Sequence, residues 1–321
     1  MLSNIGECVL RLERGAGQPT AAAARLHRYG SAAMCRLFGM SGAPHRVRAT
    51  FWLLEAEDSL IAQSRREPDG TGLGYFAADG TPRVDKRPIA AFEDRAFARE
   101  GREVHSETFV AHIRYASTGG LTPENTHPFE QHDRLLAHNG VIEDLPKLEA
   151  QLGSYRGLVS GDTDSERFFA LVTKETDRHD GDVTAGLIAA ARWVAEELPL
   201  FALNVVLTTS DELWALRYPE THALYLLERG PGGTLEHAGA PGTIRVRSAD
   251  AGDQPSVVIA SEPMDRDPAW RPLASGELVH VDRDLRVSST IEIDHPPRHP
   301  LTLAELAPHA AASQSAHRAT A

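Results

Sequence analysis

Cys35 follows Met34 in the run Met34-Cys35-Arg36-Leu37-Phe38-Gly39. A working chain that begins at Cys35, by initiation at Met34 or by cleavage, carries a thiol and a free α-amine on one residue. An α-amine has a pKa of about 7.7–8.0, so at neutral pH a useful fraction is unprotonated. It can take the thiol proton directly or through a water, as the amine of an N-terminal threonine does. No histidine partner is then needed. An internal free cysteine is more often a small buried hydrophobe, so the chemistry turns on where the working chain starts.

Three further clusters could complete such a site. In Ala111-His112-Ile113-Arg114-Tyr115-Ala116-Ser117-Thr118-Gly119-Gly120, a strand ends in Arg-Tyr and runs into hydroxyl residues and glycines. A guanidinium there can hold a carboxylate by two parallel hydrogen bonds. In Ala137-His138-Asn139-Gly140, the Asn-Gly pair is a strong hairpin signal. The same tight turn could offer the Asn139 side-chain N–H and the Gly140 backbone N–H to a developing oxyanion. In Gly161-Asp162-Thr163-Asp164-Ser165-Glu166, Asp or Thr caps a helix, or one carboxylate holds a substrate ammonium. Each cluster alone also has a plain structural explanation: a glycine turn with a surface ion pair, a hairpin, a capped helix. The acidic run lacks the glycine and distal glutamate of a calcium loop, and no His-Glu-x-x-His spacing supports a metal. The glycines of Asp69-Gly70-Thr71-Gly72-Leu73-Gly74 run into a strand instead of opening a helix, against a dinucleotide fingerprint.

These groups need a scaffold. Strands are expected at Cys35–Ser41, Gly72–Phe76, Thr108–Arg114, Arg134–His138, Phe201–Thr208, Leu213–Arg217, Ala223–Glu228, Ser256–Ser261 and Glu277–Asp282. Helical spacing covers Ala49–Ser64, Asp164–Lys174 and Val183–Glu197. Strands cluster instead of alternating with helices, which favours a layered α+β domain over a doubly wound parallel sheet. Residues 1–34, with the breaker Gly15-Ala16-Gly17-Gln18-Pro19, read as a leader: a mis-assigned start, a propeptide, or an ordinary flexible arm. The domain then spans 35–295, and 296–321, with Pro296-Pro297 and an Ala/Ser/His-rich finish, reads as a flexible tail.

The bulk numbers set the setting. The 321 residues are 41 % hydrophobic, enough for a sizeable core. A net charge of −12, from 33 basic and 45 acidic residues, argues against a nucleic-acid partner. No apolar run approaches the ~20 residues of a membrane span. Cys8 and Cys35 make no disulfide framework, and no signal-peptide core is visible, which points to the cytoplasm.

The order of the clusters is more specific than any one of them. Met-Cys, then Arg114-Tyr115-Ala116-Ser117-Thr118-Gly119-Gly120, then His138-Asn139-Gly140, then Gly161-Asp162-Thr163-Asp164-Ser165-Glu166 resembles the class II glutamine amidotransferases. Cys35-Arg36-Leu37-Phe38-Gly39-Met40 and Glu124-Asn125-Thr126-His127-Pro128-Phe129 look like the stand-alone, YafJ-like branch, related to the γ-glutamyl amidase of the ergothioneine pathway. The resemblance implies an N-terminal-nucleophile hydrolase with a four-layer αββα sandwich of two antiparallel sheets and no cofactor. It implies that Cys35 attacks a γ-amide, Asn139 and Gly140 hold the oxyanion, Arg114 binds the α-carboxylate and Asp164 the α-ammonium. Tyr115, Ser117 and Thr118 would shape the pocket, with Thr118 where some relatives carry histidine. The implied partners are glutamine or a γ-glutamyl small molecule, with a separate ammonia-accepting synthase and a homo-oligomer left open. The competing expectation is a catalytically silent binding or regulatory module with the same fold; an unrelated metallohydrolase is a further one.

Overall fold

Alternation of side chains along strands sorts this chain into layers. The computed structural model describes residues 35–115, 119–231, 236–237, 246–247 and 254–314. In chain order the strands are β1 (Arg36–Ser41), β2 (Gly70–Phe76), β3 (Pro82–Arg87), β4 (Thr108–Arg114), β5 (Phe129–Gln131), β6 (Arg134–Ile142), β7 (Pro199–Thr208), β8 (Leu213–Arg217), β9 (Tyr225–Arg229), β10 (Glu236–His237), β11 (Val246–Arg247), β12 (Ser256–Ala260), β13 (Arg271–Pro272), β14 (Glu277–Val281), β15 (Val287–Ile291) and β16 (His299–Pro300). The helices are α1 (Leu60–Gln63), α2 (Arg95–Glu103), α3 (Leu145–Leu152), α4 (Asp164–Arg178), α5 (Val183–Glu197) and α6 (Pro308–Gln314). One sheet runs β13-β9-β12-β1-β4-β2-β3 and the other β15-β14-β8-β7-β6-β5. The pairings along both paths are antiparallel.

Leu37 on β1, Val110 on β4, Leu135 and Ala137 on β6 and Val206 on β7 meet in one cluster between the sheets. The alternate residues face outward. Phe38, Met40, Phe109 and Ile113 pack with Phe51, Trp52 and Phe97. Leu136, Leu203 and Val205 pack with Phe168, Phe169, Leu187 and Ala191 of α4 and α5. Helices therefore cover the outer face of each sheet, and the chain is an α+β four-layer αββα sandwich. Thr163 caps α4 by accepting from the Glu166 N–H at 3.3 Å, and Asp182 caps α5 by accepting from Ala185 at 2.9 Å. No helix among the described residues is long and apolar enough to cross a membrane.

Three expectations need correction. The helix over Ala49–Ser64 is broken: a π-helical turn covers Phe51–Glu55, and α1 begins only at Leu60. Phe51, Trp52 and Leu53 are consecutive and all buried, which a single apolar stripe of a 3.6-residue helix cannot accommodate. Asn139-Gly140 is not a hairpin turn. It lies within β6, with Asn139 opposite Asn204 and Gly140 opposite Leu203. Glycine serves close approach there: a Cβ at Gly140 would lie 1.8 Å from the Ala202 carbonyl oxygen. The loosely held end expected from Pro296 does not describe residues 299–314. β16 pairs with the start of β7, Leu306 and Ala310 pack against Val141 and Phe201, and Gln314 meets the His222 ring.

Candidate active site

The pairing of β1 with β4 fixes the position of the thiol. Arg36 lies opposite Ile113 and Leu37 opposite His112, so Cys35 arrives where β4 ends. Its Sγ donates to the Tyr115 carbonyl at 3.2 Å and accepts from the Tyr115 N–H at 3.3 Å. The second sheet reaches the same residue: Asn139 Nδ2 on β6 donates to the Cys35 carbonyl at 2.9 Å. The nucleophile candidate is held by both sheets.

Cys35, Arg114, Tyr115, Gly140 and Asp164 line one small cleft. Asn139 joins them through its bond to Cys35. Ser117 and Thr118 lie outside the described residues. Arg114 is buried, and its Nη1 and Nη2 donate to Gly120 O at 3.0 Å and Gly119 O at 3.3 Å. Asn125 holds the same loop, donating to Gly120 O at 3.3 Å while its Oδ1 accepts from the Asp162 N–H at 2.8 Å. Asp164 opens α4, its Oδ2 accepting from Ile142 N and its Oδ1 from Ser165 N, both at 2.9 Å. The helix start and the end of β6 thus fix this carboxylate.

The cleft also contains His112, His127 and His138, to which sequence reasoning gave no role. His112 was legible: it stands two residues before Arg114 on a strand, so both share a face. His127 was not, because its position depends on close approach of distant segments. Gly72 on β2 lies opposite His112, and a Cβ there would come within 1.9 Å of the His127 carbonyl oxygen. The bare glycine lets the His127 segment cross β2 and brings the two imidazoles to 4.2 Å between centroids. Gly72→Ala is therefore expected to lower the melting temperature by several degrees and to reduce turnover, because the obstacle is backbone that cannot rotate away. Thermal unfolding and glutamate release measured on one preparation check this.

Burial dominates the electrostatics. It pushes the Cys35 thiol up to about 11, more than the Tyr115 backbone bond and the Arg114 charge pull it down. Burial pushes His112 down to about 3 and His127 well below the usual histidine range. Both rings are neutral at pH 7, and their nitrogens have no protein partner. A histidine depressed on folding stabilises the native state above its unfolded pKa of about 6.5, and that stability is lost as pH falls toward the folded value. Thermal stability should fall as pH drops from 6.5 toward 4. His112→Asn should flatten that slope in a pH series of melting curves. Behind Cys35, the buried Arg36 lies 3.4 Å from Glu67 and 3.0 Å from Glu262. Desolvation lifts Glu67 to about 7 against the pull of Arg36 and Arg66.

Residues 34–304 match the family model for glutamine amidotransferases class-II. YafJ of Escherichia coli is 28 % identical over 254 residues, covering 76 % of this chain and 96 % of that protein. The gamma-glutamyl-hercynylcysteine sulfoxide hydrolase of Mycolicibacterium smegmatis is 28 % identical over 272 residues, 80 % of this chain and 99 % of its own. The glutamine phosphoribosylpyrophosphate amidotransferase of B. subtilis superposes with a TM-score of 0.57 at 18 % identity, over 82 % of this chain and 50 % of the larger protein.

Proposed function

The chain belongs to the class II glutamine amidotransferases, and we propose that it hydrolyses the γ-amide of glutamine or of a γ-glutamyl compound through a thioester on Cys35. The observation that carries this reading is the junction at Cys35, where one sheet holds the thiol and the other supplies Asn139 beside the Arg114 and Asp164 cleft. Arg114 binds the substrate α-carboxylate and Asp164 its α-ammonium, which leaves the γ-carbonyl at Sγ. The α-amine of a chain beginning at Cys35 takes the thiol proton, and sulfur adds to the carbonyl carbon. Asn139 and Gly140 hold the oxygen as it becomes negative. The tetrahedral centre collapses, the C–N bond breaks, and the ammonium of Cys35 returns its proton to the departing ammonia or amine. Water then adds to the thioester, and the C–S bond breaks to release glutamate and restore the thiol. Nothing in this cycle needs a cofactor.

Alignment across 99 % of a γ-glutamyl hydrolase favours γ-glutamyl amides of larger amines among the substrates. Both ends of the reading are tested by assaying glutamate release from glutamine and a panel of γ-glutamyl amides. The correctly started wild type should cleave at least one, and Cys35→Ala should lose at least about a thousandfold while keeping its circular-dichroism spectrum. No cleavage of any member by the wild type would favour a silent module. Arg114→Lys keeps the charge but loses the planar fork, so KM should rise about tenfold or more with a smaller change in kcat, read from initial rates against substrate concentration.

A further inference from the structure

The proposed cycle leaves two buried imidazoles in the cleft without a task. His112 lies on β4, where its partner on β1 is Leu37, two residues beyond Cys35. Val110, two residues before His112, packs between the sheets, so the His112 ring faces the same space. His127 reaches that space over the bare Gly72. Its ring is held by other rings, 4.2 Å between centroids to His112 and 4.7 Å to Phe129. Neither nitrogen of His112 or of His127 has a protein partner. Buried polar atoms of this kind call for a water, an ion or a reactant. Among the described residues, no three His, Cys, Asp or Glu side chains are grouped to hold a metal. The cleft offers about 20 Å³ to a water-sized molecule, and both rings line it together with Cys35. One water needs roughly 10–15 Å³.

We propose that His112 and His127 together hold the water that hydrolyses the Cys35 thioester. The proposal rests on the thioester reading given above and assigns its second half to named groups. Burial keeps both rings neutral, so each carries one N–H and one bare nitrogen. A water between them accepts from the N–H of one ring and donates to the bare nitrogen of the other. That leaves it one lone pair and one proton. The lone pair adds to the thioester carbonyl carbon, and the free proton passes to the α-amine of Cys35. The C–S bond breaks, and sulfur takes that proton to become the thiol. The second proton stays on the new carboxyl group, which loses it to solvent. Two imidazolium rings would instead donate to both lone pairs and leave none to react.

Two measurements test this. A crystal structure of protein beginning at Cys35 should show one water within about 3.2 Å of a nitrogen of each ring. The lack of a shared water there would overturn the proposal, and this result needs no variant to fold. The kinetic test follows amine and glutamate separately after mixing with L-glutamine or γ-glutamyl anilide. His112→Phe and His127→Phe keep ring bulk and lose the nitrogens. Each should slow glutamate release at least about tenfold while first-turnover amine release stays within about threefold. A glutamyl group then accumulates on Cys35 and is read by intact mass, and kcat and KM fall together. Hydroxylamine, which attacks the thioester without a held water, should restore amine release. His112→Gln or His112→Asn, whose amides stand near Nε2 or Nδ1, should recover part of the loss. Amine and glutamate slowed equally with no acyl-enzyme, or glutamate release unchanged, would overturn the proposal. Cleavage by the wild type with no shared water leaves the reaction standing and removes the histidines from it. A shared water with no cleavage of any γ-glutamyl amide sinks the reaction itself and takes the water's role with it.

Discussion

Protein that begins at Cys35 is expected to release glutamate at least about a hundredfold faster than the same chain carrying any residue in amide linkage before Cys35. The thiol explains why. Buried, with its contacts on the Tyr115 backbone, it is pushed up to about 11. At pH 7 only about one molecule in ten thousand would then hold a thiolate. The nearby imidazoles are a poor substitute: His112 and His127 are depressed too far to be effective bases at neutral pH, and the Nδ1 of His138 is taken by Ser165. A positioned general base contributes roughly 10²–10⁴ in rate, and a free α-amine on the same residue supplies one. Three preparations make the comparison: full length, starting at Met34 with the methionine blocked from removal, and released by a protease to expose Cys35. Intact mass identifies each N-terminus, and kcat is read from glutamate release. Equal kcat for the blocked and exposed forms would sink the amine mechanism and would require another group to take the thiol proton.

The parts of this fold that were legible in the sequence are those fixed by local pattern. β4 runs from Thr108 to Arg114 and α5 from Val183 to Glu197, as their periodicity and flanking residues indicate. The start of α4 follows from Thr163 as a capping residue. The illegible parts depend on contacts between distant segments. Gly72 and Gly140 are identical as letters to turn glycines, yet each sits in a strand where another backbone comes within 2 Å of the absent Cβ. Asn-Gly therefore gave a false hairpin signal. The polar shell around Asp164 was missed for the same reason, because His138 and Ser165 meet only when β6 packs under α4. The docked segment at 299–314 has a composition typical of loose ends, and its order comes from one edge of β7 and from the pocket that accepts Leu306 and Ala310.

Asn139→Ala should lower kcat by about 10²–10³ with little change in KM, the loss typical of removing one oxyanion donor. The amide has two N–H groups on Nδ2. One is given to the Cys35 carbonyl, which ties the nucleophile's backbone to the second sheet. In the proposed mechanism the other serves the oxygen that becomes negative when sulfur adds. One use holds the backbone of the proposed nucleophile and the other the proposed oxyanion, whereas the proposed recognition groups Arg114 and Asp164 are untouched, so the split should fall on kcat. Asn139→Asp separates the two uses from simple loss of bulk. It keeps the shape but sets an oxygen against the Cys35 carbonyl, and it should lose more rate than alanine and also some thermal stability. Gly140→Ala marks the opposite extreme. Its Cβ would meet the Ala202 backbone at 1.8 Å and His138 Nε2 at 2.7 Å, so the expected result is a lower melting temperature before any kinetic effect can be read. A stable Asn139→Ala enzyme that kept kcat within tenfold would remove the side chain from the oxyanion role. Its bond to Cys35 would then be a tether between sheets and nothing more.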